Sequence, residues 1–168
     1  MNALRVQLAT LADGHSQLHF EVSPVDVGLE PEEWPASILI DAEVDRRGDQ
    51  ITLRGRLTTG TQEDCARCMN PFSYSLETEF TAIADYATKH SSGDAQEMDD
   101  YLIFHDGRVL ELDELAREQA VLGRPMQSLC RPDCKGLCLR CGVNLNESSC
   151  QCGSDRAEGP PSAGSDTV

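Results

Sequence analysis

Six cysteines fall within 23 residues of this chain, spaced Cys130-x3-Cys134-x3-Cys138-x2-Cys141-x8-Cys150-x-Cys152. The other two form a close pair of their own, Cys65-Ala66-Arg67-Cys68. A buried structural cysteine acts as a small hydrophobe and needs no cysteine neighbours. Thiolates this closely spaced converge on a metal or exchange electrons with one another. Zinc is the metal that fits, because it takes four soft ligands in a tetrahedron.

The segment Cys138-Leu139-Arg140-Cys141-Gly142 has the form of half a zinc site. Its C-x2-C turn aims both sulfurs at one point, and the glycine relieves crowding where backbone amides approach the sulfur. Cys150 and Cys152 can close that site from the far side of the loop 143–149, and Cys130 and Cys134 compete for the same role. Six thiolates exceed the need of one zinc. Either two are spare or two ions share bridging sulfurs. Cys65 and Cys68 make a further half-site. It folds over to join Cys138 and Cys141, stands as a separate thiol pair, or is two unligated thiols on a loop. The candidate metal ligands are thus Cys138, Cys141, Cys150, Cys152, Cys134 and Cys130, with Cys65 and Cys68 as an additional pair.

No second chemistry competes with the thiols. His19-Phe20-Glu21 matches H-x-E, part of a zinc deaminase pattern, but it lies in a strand-like stretch and no P-C-x-x-C follows. His15, His19, His90 and His105 are scattered. There is no G-K-[ST] and no G-x-S-x-G. The sequence therefore offers no catalytic residues and no organic cofactor site, and a non-enzymatic protein is expected. Trp34, before Pro35, reads as a core anchor rather than a stacking platform.

The elements that must hold these thiols follow from composition and periodicity. The 168 residues suit one domain with a real core, and 39 % hydrophobic with 5 % aromatic residues makes that core modest and aliphatic. Residues 37–58 read as a hairpin. Ile38, Ile40, Ala42 and Val44 alternate with Leu39, Asp41, Glu43 and Asp45. After the turn Arg46-Arg47-Gly48-Asp49, Ile51, Leu53, Gly55 and Leu57 alternate with polar residues. A third strand holds Phe72, Tyr74, Leu76, Thr78, Phe80 and Ala82 on one face. Cys65 and Cys68 then sit in a strand-to-strand connection. Tyr101–Phe104 and Val109–Leu112 flank Asp106-Gly107, a hairpin signal. A short helix follows, with Asp113 and Glu114 at its positive end, Leu112, Leu115, Ala116, Gln119 and Leu122 at helical spacing, and Gly123 and Pro125 to stop it. Val6, Leu8 and residues 17–22 read as two edge strands. Residues 88–100 read as a polar mobile loop.

The expected fold is α+β: a mostly antiparallel sheet of hairpins, one or two short helices, and a C-terminal cysteine-rich zinc-binding lobe. The expected division is 1–129 for the α+β domain, 130–152 for the zinc module and 153–168 for a disordered tail.

Formal net charge is −15. Residues 21–45 carry eight acids and no lysine or arginine, whereas Arg124, Arg131, Lys135 and Arg140 oppose only Asp133 over 124–141. A body this acidic repels nucleic acid non-specifically, so DNA is not an expected partner. No stretch approaches the roughly 20 apolar residues that cross a bilayer, and the first twenty residues lack the compact apolar core of a signal peptide. A cytoplasmic protein with no membrane partner is expected. Thiols stay reduced there, which argues for metal over disulfides.

Three blocks together resemble the YceD-type large ribosomal RNA subunit accumulation proteins. They are Cys65-x2-Cys68 with Asn70-Pro71-Phe72, residues 109–127 (VLELDELAREQAVLGRPMQ), and residues 130–152 with Cys134-Lys135-Gly136-Leu137-Cys138 and Cys141-Gly142-Val143-Asn144-Leu145-Asn146. Family members often show proline where this chain has Leu139. The resemblance implies a non-catalytic ribosome biogenesis factor. It would support accumulation or processing of large-subunit ribosomal RNA. Its partners would be large ribosomal subunit precursors, ribosomal RNA or a basic ribosomal protein. The competing expectation is a thiol-redox protein or redox-regulated zinc chaperone using Cys65, Cys68 and the C-terminal cysteines. A zinc hydrolase is a third, but no histidine or glutamate is spaced to leave an open coordination position beside a base.

Overall fold

Period-two alternation of apolar residues is what builds the main sheet. In the computed structural model, which describes residues 4–86 and 101–152, β3 (Ile38–Arg47) and β4 (Gln50–Asp64) pair antiparallel. Ile38, Ile40, Ala42 and Val44 turn inward from β3, and Ile51, Leu53 and Leu57 from β4, all of them buried. Arg47 pairs with Gln50, so the turn is only Gly48-Asp49. Gly48 takes φ +64°, as a two-residue hairpin requires.

β2 (Gly14–Val22) joins the free edge of β3, also antiparallel, with Leu18 opposite Ala42. β5 (Pro71–Tyr86) follows β4, and β6 (Tyr101–His105) lies along β5 in parallel. The order is β2-β3-β4-β5-β6. A separate two-stranded sheet pairs β1 (Arg5–Gln7) with β7 (Val109–Glu111). The fold is thus a mostly antiparallel sheet with one α-helix among the described residues. The polar stretch 88–100 and the tail 153–168 lie outside them.

Asp106-Gly107 does not make the expected hairpin. Asp106 Oδ1 accepts the backbone N–H groups of Arg108 (2.8 Å) and Val109 (3.1 Å), and His105 Nδ1 accepts that of Gly107 (3.0 Å). Side chains thereby take the donors that a hairpin ladder would use. The chain leaves β6, and β7 pairs with β1 instead, Val6 opposite Leu110. The amide donors of Arg108 and then Val109 hold the Asp106 carboxyl below its usual range. A depressed carboxylate stabilises the fold above its ordinary pKa, and this support fades as pH falls through the lowered one.

The helix α1 (Asp113–Leu122) carries Asp113 and Glu114 in its first turn, favourable at the positive end. Leu112, Leu115, Ala116 and Ala120 are buried and join the core, whereas Leu122, expected to face inward, is 75 % exposed. It is the helix's last residue, and the buried stripe ends at Ala120. Trp34 is fully in the core, at 2 % exposure. Arg124 lies 5.5 Å over its ring and bonds Glu63 (2.8 Å) and Glu33 (3.2 Å). The Glu63 hydrogen bond is the first cause of the raised Arg124 pKa. Arg124 is therefore spent on this cluster.

The chain divides into two compact units, Met1–Glu63 with Pro71–Met126, and Asp64–Asn70 with Gln127–Val168. The hydrophobic core just described belongs wholly to the first.

Gly55 sits opposite Ala42 in the centre of this sheet. A Cβ there would lie 2.6 Å from the Asp41 carbonyl oxygen and 2.8 Å from Phe80 Cζ. Gly55→Ala is expected to destabilise the protein by about 1–3 kcal/mol, the cost of overpacking. Chemical denaturation followed through Trp34 fluorescence checks this, and an unchanged midpoint would contradict the tight register.

Candidate metal centres

Two short segments far apart in sequence build the first sulfur cluster. β4 ends at Asp64, and the chain turns tightly before β5: Cys65 N–H donates to Asn70 O (3.0 Å) and Met69 N–H to Cys65 O (2.9 Å). Met69 takes φ +58°, a left-handed position uncommon outside glycine. Ala66 N–H donates to Ser128 O (2.8 Å), and Leu137 N–H to Arg67 O (3.0 Å). The Arg67 guanidinium donates to the Cys134 carbonyl at 2.9 Å. These bonds bring the β4–β5 turn onto residues 128–137.

Four sulfurs meet as a result. Cys65 Sγ lies 3.8 Å from Cys134 Sγ, and Cys68 Sγ 3.8 Å from Cys130 Sγ. All four ligand atoms fall within 4.8 Å of one another. A tetrahedral zinc with bonds near 2.3 Å separates its sulfurs by about 3.8 Å, so the set has the right size. Cys65, Cys68 and Cys134 are buried, and Cys130 is the most open.

The second cluster is local. Cys138 N–H donates to Val143 O (2.8 Å) and Gly142 N–H to Cys138 O (2.9 Å), which closes the C-x2-C turn. Gly142 takes φ +73° just after it. The Arg140 amide points at Cys138 Sγ (3.4 Å) and the Cys152 amide at Cys150 Sγ (3.2 Å). Cys150 Sγ lies 3.2 Å from Cys138 Sγ and 3.5 Å from Cys141 Sγ, and Cys152 completes the four within 4.8 Å. Cys141 is exposed and the other three are half-buried.

Backbone amides decide which sulfur ionises first. The Cys130 amide, ahead of burial acting the other way, brings Cys65 down to about 6. The Cys141 amide and then that of Arg140 bring Cys138 down to about 6. Two thiols move furthest the other way: Cys152 is pushed up to about 12, first by the Cys150 sulfur, and Cys130 to about 12 by desolvation and then the Cys65 sulfur. Cys134 is lowered as well, against its burial, by the Asn146 side chain and then the Gly136 amide, and a divalent cation would favour the thiolate form of the rest. Each cluster can hold a metal ion.

All eight predicted ligands are thus gathered, in two separate sets of four. Cys65 and Cys68 meet Cys130 and Cys134, a grouping the sequence spacing did not offer, and they do not join Cys138 and Cys141. No sulfur is spare and none is shared. Asn146 is a site residue that sequence reasoning missed. Its side-chain amide donates to Cys134 Sγ (3.3 Å), and its oxygen accepts from the Lys135 amide (2.9 Å) and Arg131 Nη2 (2.7 Å). The available signal was the repeated asparagine in Asn144-Leu145-Asn146, whose first member accepts the Asn146 amide at 3.0 Å. His19 lies on β2 and bonds Asp41 across the strand pair. Among the described residues no further group of three His, Cys, Asp or Glu ligands converges in this way.

The family model described as Large ribosomal RNA subunit accumulation protein YceD matches residues 53–161. The chain belongs to that family. The matched YceD segment contains all eight cysteines. An uncharacterized protein of Mycobacterium tuberculosis is 28 % identical over 133 residues, covering 78 % of this chain and 62 % of the relative. The protein named Large ribosomal RNA subunit accumulation protein YCED homolog 1, chloroplastic, of Zea mays is 27 % identical over 141 residues, covering 68 % of this chain and 48 % of that one. The Arabidopsis thaliana protein of the same name is 24 % identical over 162 residues, with 80 % and 50 % covered. The chain spans about half to three-fifths of the length of these relatives. No solved structure matches.

Gly136 separates the two sulfur sets along the chain. It takes φ +74°, and a Cβ there would lie 2.9 Å from the Arg67 carbonyl oxygen. Gly142 has φ +73° but open space around it. Gly136→Ala is expected to weaken the cysteine unit by about 1–3 kcal/mol from combined strain and collision. Gly142→Ala should cost less. Competition with a chromogenic chelator reads this as metal lost at lower chelator concentration in Gly136→Ala, and the reverse order would contradict the Arg67 contact.

Proposed function

We propose that this chain is a non-catalytic ribosome biogenesis factor that supports accumulation of large-subunit ribosomal RNA, with its cysteine unit held by two structural zinc ions. The family match over residues 53–161 carries the biological part of this reading. The plant relatives, whose names describe the same role, support it. The partners would be large-subunit precursors, ribosomal RNA or a basic ribosomal protein, met in the cytoplasm.

The zinc part rests on the sulfur geometry. Each set supplies four thiolates, which fills a tetrahedron. A catalytic zinc keeps one position for water or substrate, so a closed four-sulfur set suits a structural ion. Cys65, Cys68, Cys130 and Cys134 would hold one ion, and Cys138, Cys141, Cys150 and Cys152 the other.

One observation favours a second reading. In the second set Cys141 is exposed and the other three are half-buried, and Cys150 Sγ lies 3.2 Å from Cys138 Sγ and 3.5 Å from Cys141 Sγ. Such thiols are accessible to oxidants, as a redox-regulated zinc chaperone would need.

Protein purified reduced, without added metal, is expected to carry about two zinc ions per chain by elemental analysis. Its cobalt form should show sulfur-to-metal charge-transfer absorption. A metal-free, fully folded protein would remove the zinc reading. For the biological role, tagged protein in cell extract should sediment with large-subunit assembly intermediates, and strains lacking it should hold less large-subunit ribosomal RNA relative to the small. Co-sedimentation with mature ribosomes alone, with normal RNA ratios in the deletion strain, would overturn it. Zinc release on mild oxidation, with a reversible disulfide among Cys138, Cys141, Cys150 and Cys152, would favour the redox reading instead.

A further inference from the structure

The cysteine unit carries a groove of about 830 Å³ whose walls include Arg67, Lys135, Arg140, Leu137, Leu139 and Leu145. Cys138, Cys150 and Cys152 line it as well. Among the described residues no aspartate or glutamate lines it, in a chain of net charge −15. Arg67 is fixed in place by its bond to the Cys134 carbonyl, a neutral acceptor that leaves the guanidinium charge intact. Lys135 is exposed, and among the described residues only its backbone amide is bonded, to Asn146.

Two jobs can explain cations here. A four-thiolate metal set is net negative, and nearby cations offset it. That accounts for the charge but not for the leucines. Leu139 is fully exposed at the tip of the C-x2-C turn, while Leu137 and Leu145 are half-buried in the groove. Charge compensation needs no apolar surface. A ligand that is both anionic and flat-faced uses both features. Single-stranded RNA is such a ligand: its phosphates seek Lys and Arg, and its unstacked bases offer apolar faces. A duplex hides those faces.

We propose that this groove binds single-stranded RNA, with Arg67, Lys135 and Arg140 on the phosphates and Leu139, Leu137 and Leu145 under one or two unstacked bases. The choice of RNA over an acidic, leucine-containing peptide rests on the biogenesis reading above. The acidic first unit then limits non-specific binding and confines RNA to this lobe.

The test uses the full-length zinc-loaded chain and a fluorescein-labelled 12-nucleotide oligouridylate (~12, within a single-site span), with anisotropy read from low to moderate salt. Lys135→Glu with Arg140→Glu is expected to weaken binding about tenfold or more at 0.1 M salt. The slope of log affinity against log salt should fall by about 1.4, roughly 0.7 for each lost phosphate contact. Leu139→Ser removes a fully exposed side chain and should weaken binding several-fold with the salt slope unchanged. Zinc content and melting temperature equal to the parent protein show that the variants are folded. Parent-like binding by both variants overturns the groove as the site. So does a parent protein that ignores the RNA and captures an acidic leucine-containing peptide. The two readings fail separately. A deletion strain with normal large-subunit RNA removes the biogenesis role and leaves the binding result standing, whereas unaltered binding by the variants removes the groove alone.

Discussion

Four sulfurs within 4.8 Å of one another are an unstable arrangement without a cation. Neutral thiols bond weakly to each other, and neighbouring thiolates repel. The Cys150 sulfur, the first cause of the raised Cys152 pKa, shows that conflict in the second set. A divalent ion reverses it and turns crowding into cohesion. This matters because the cysteine unit has little else. No member of the hydrophobic core comes from residues 64–70 or 127–152. Its buried side chains are chiefly Cys65, Cys68 and Cys134 themselves. Structural zinc sites contribute on the order of 10–16 kcal/mol, comparable to the whole stability of an ordinary domain. For a segment this small and polar, the proposed zinc ions would make metal binding and folding one event.

The surrounding residues serve the sulfurs rather than one another. Gly136 lets the chain pass close to the Arg67 carbonyl between the two sets. Asn146 is drawn from between Cys141 and Cys150, yet it donates to Cys134 of the other set. Its oxygen meanwhile fixes the Lys135 amide and Arg131. The two sets share no ligand, but this side chain ties the loop of one to a sulfur of the other. Asn70 and Asn144 both donate to Glu147 and fix the same loop from its far end.

Much of the sheet was legible because one rule governs it. Where one face is buried, strand residues must alternate, and Ile38 to Val44, Ile51 to Leu57 and Leu76 to Ala84 all do. The half-sites were legible for a similar reason, since C-x2-C fixes two sulfurs by local geometry alone. What could not be read was partnership. Cys65 finds Cys134 across 69 residues, and Cys68 finds Cys130 across 62. No spacing rule reaches that far. Asp106-Gly107 misled for a local reason, because Asp106 captured the amides a hairpin ladder needs. Arg124 misled through its charge. It looked like part of the basic cysteine stretch, but Glu63, Glu33 and the Trp34 face claim it.

The two sulfur sets are unequal constraints. The set of Cys65, Cys68, Cys130 and Cys134 closes chain loops of 62 to 69 residues. The other closes loops of 9 to 12 residues. Loop-closure entropy grows as the logarithm of length, so the long closure removes more freedom from the unfolded chain, by about 1.5 kcal/mol. It is also the better shielded from solvent. The inner set thus decides whether Asp64–Asn70 and residues 127–137 stay together, while the outer set shapes only the turn that carries Leu139 and Arg140. Exchange or oxidation at exposed Cys141 would reshape that turn without touching buried Cys65, Cys68 or Cys134. The fold therefore buries three of the thiols that hold it together, Cys65, Cys68 and Cys134, and leaves Cys130 and the outer set nearer to solvent.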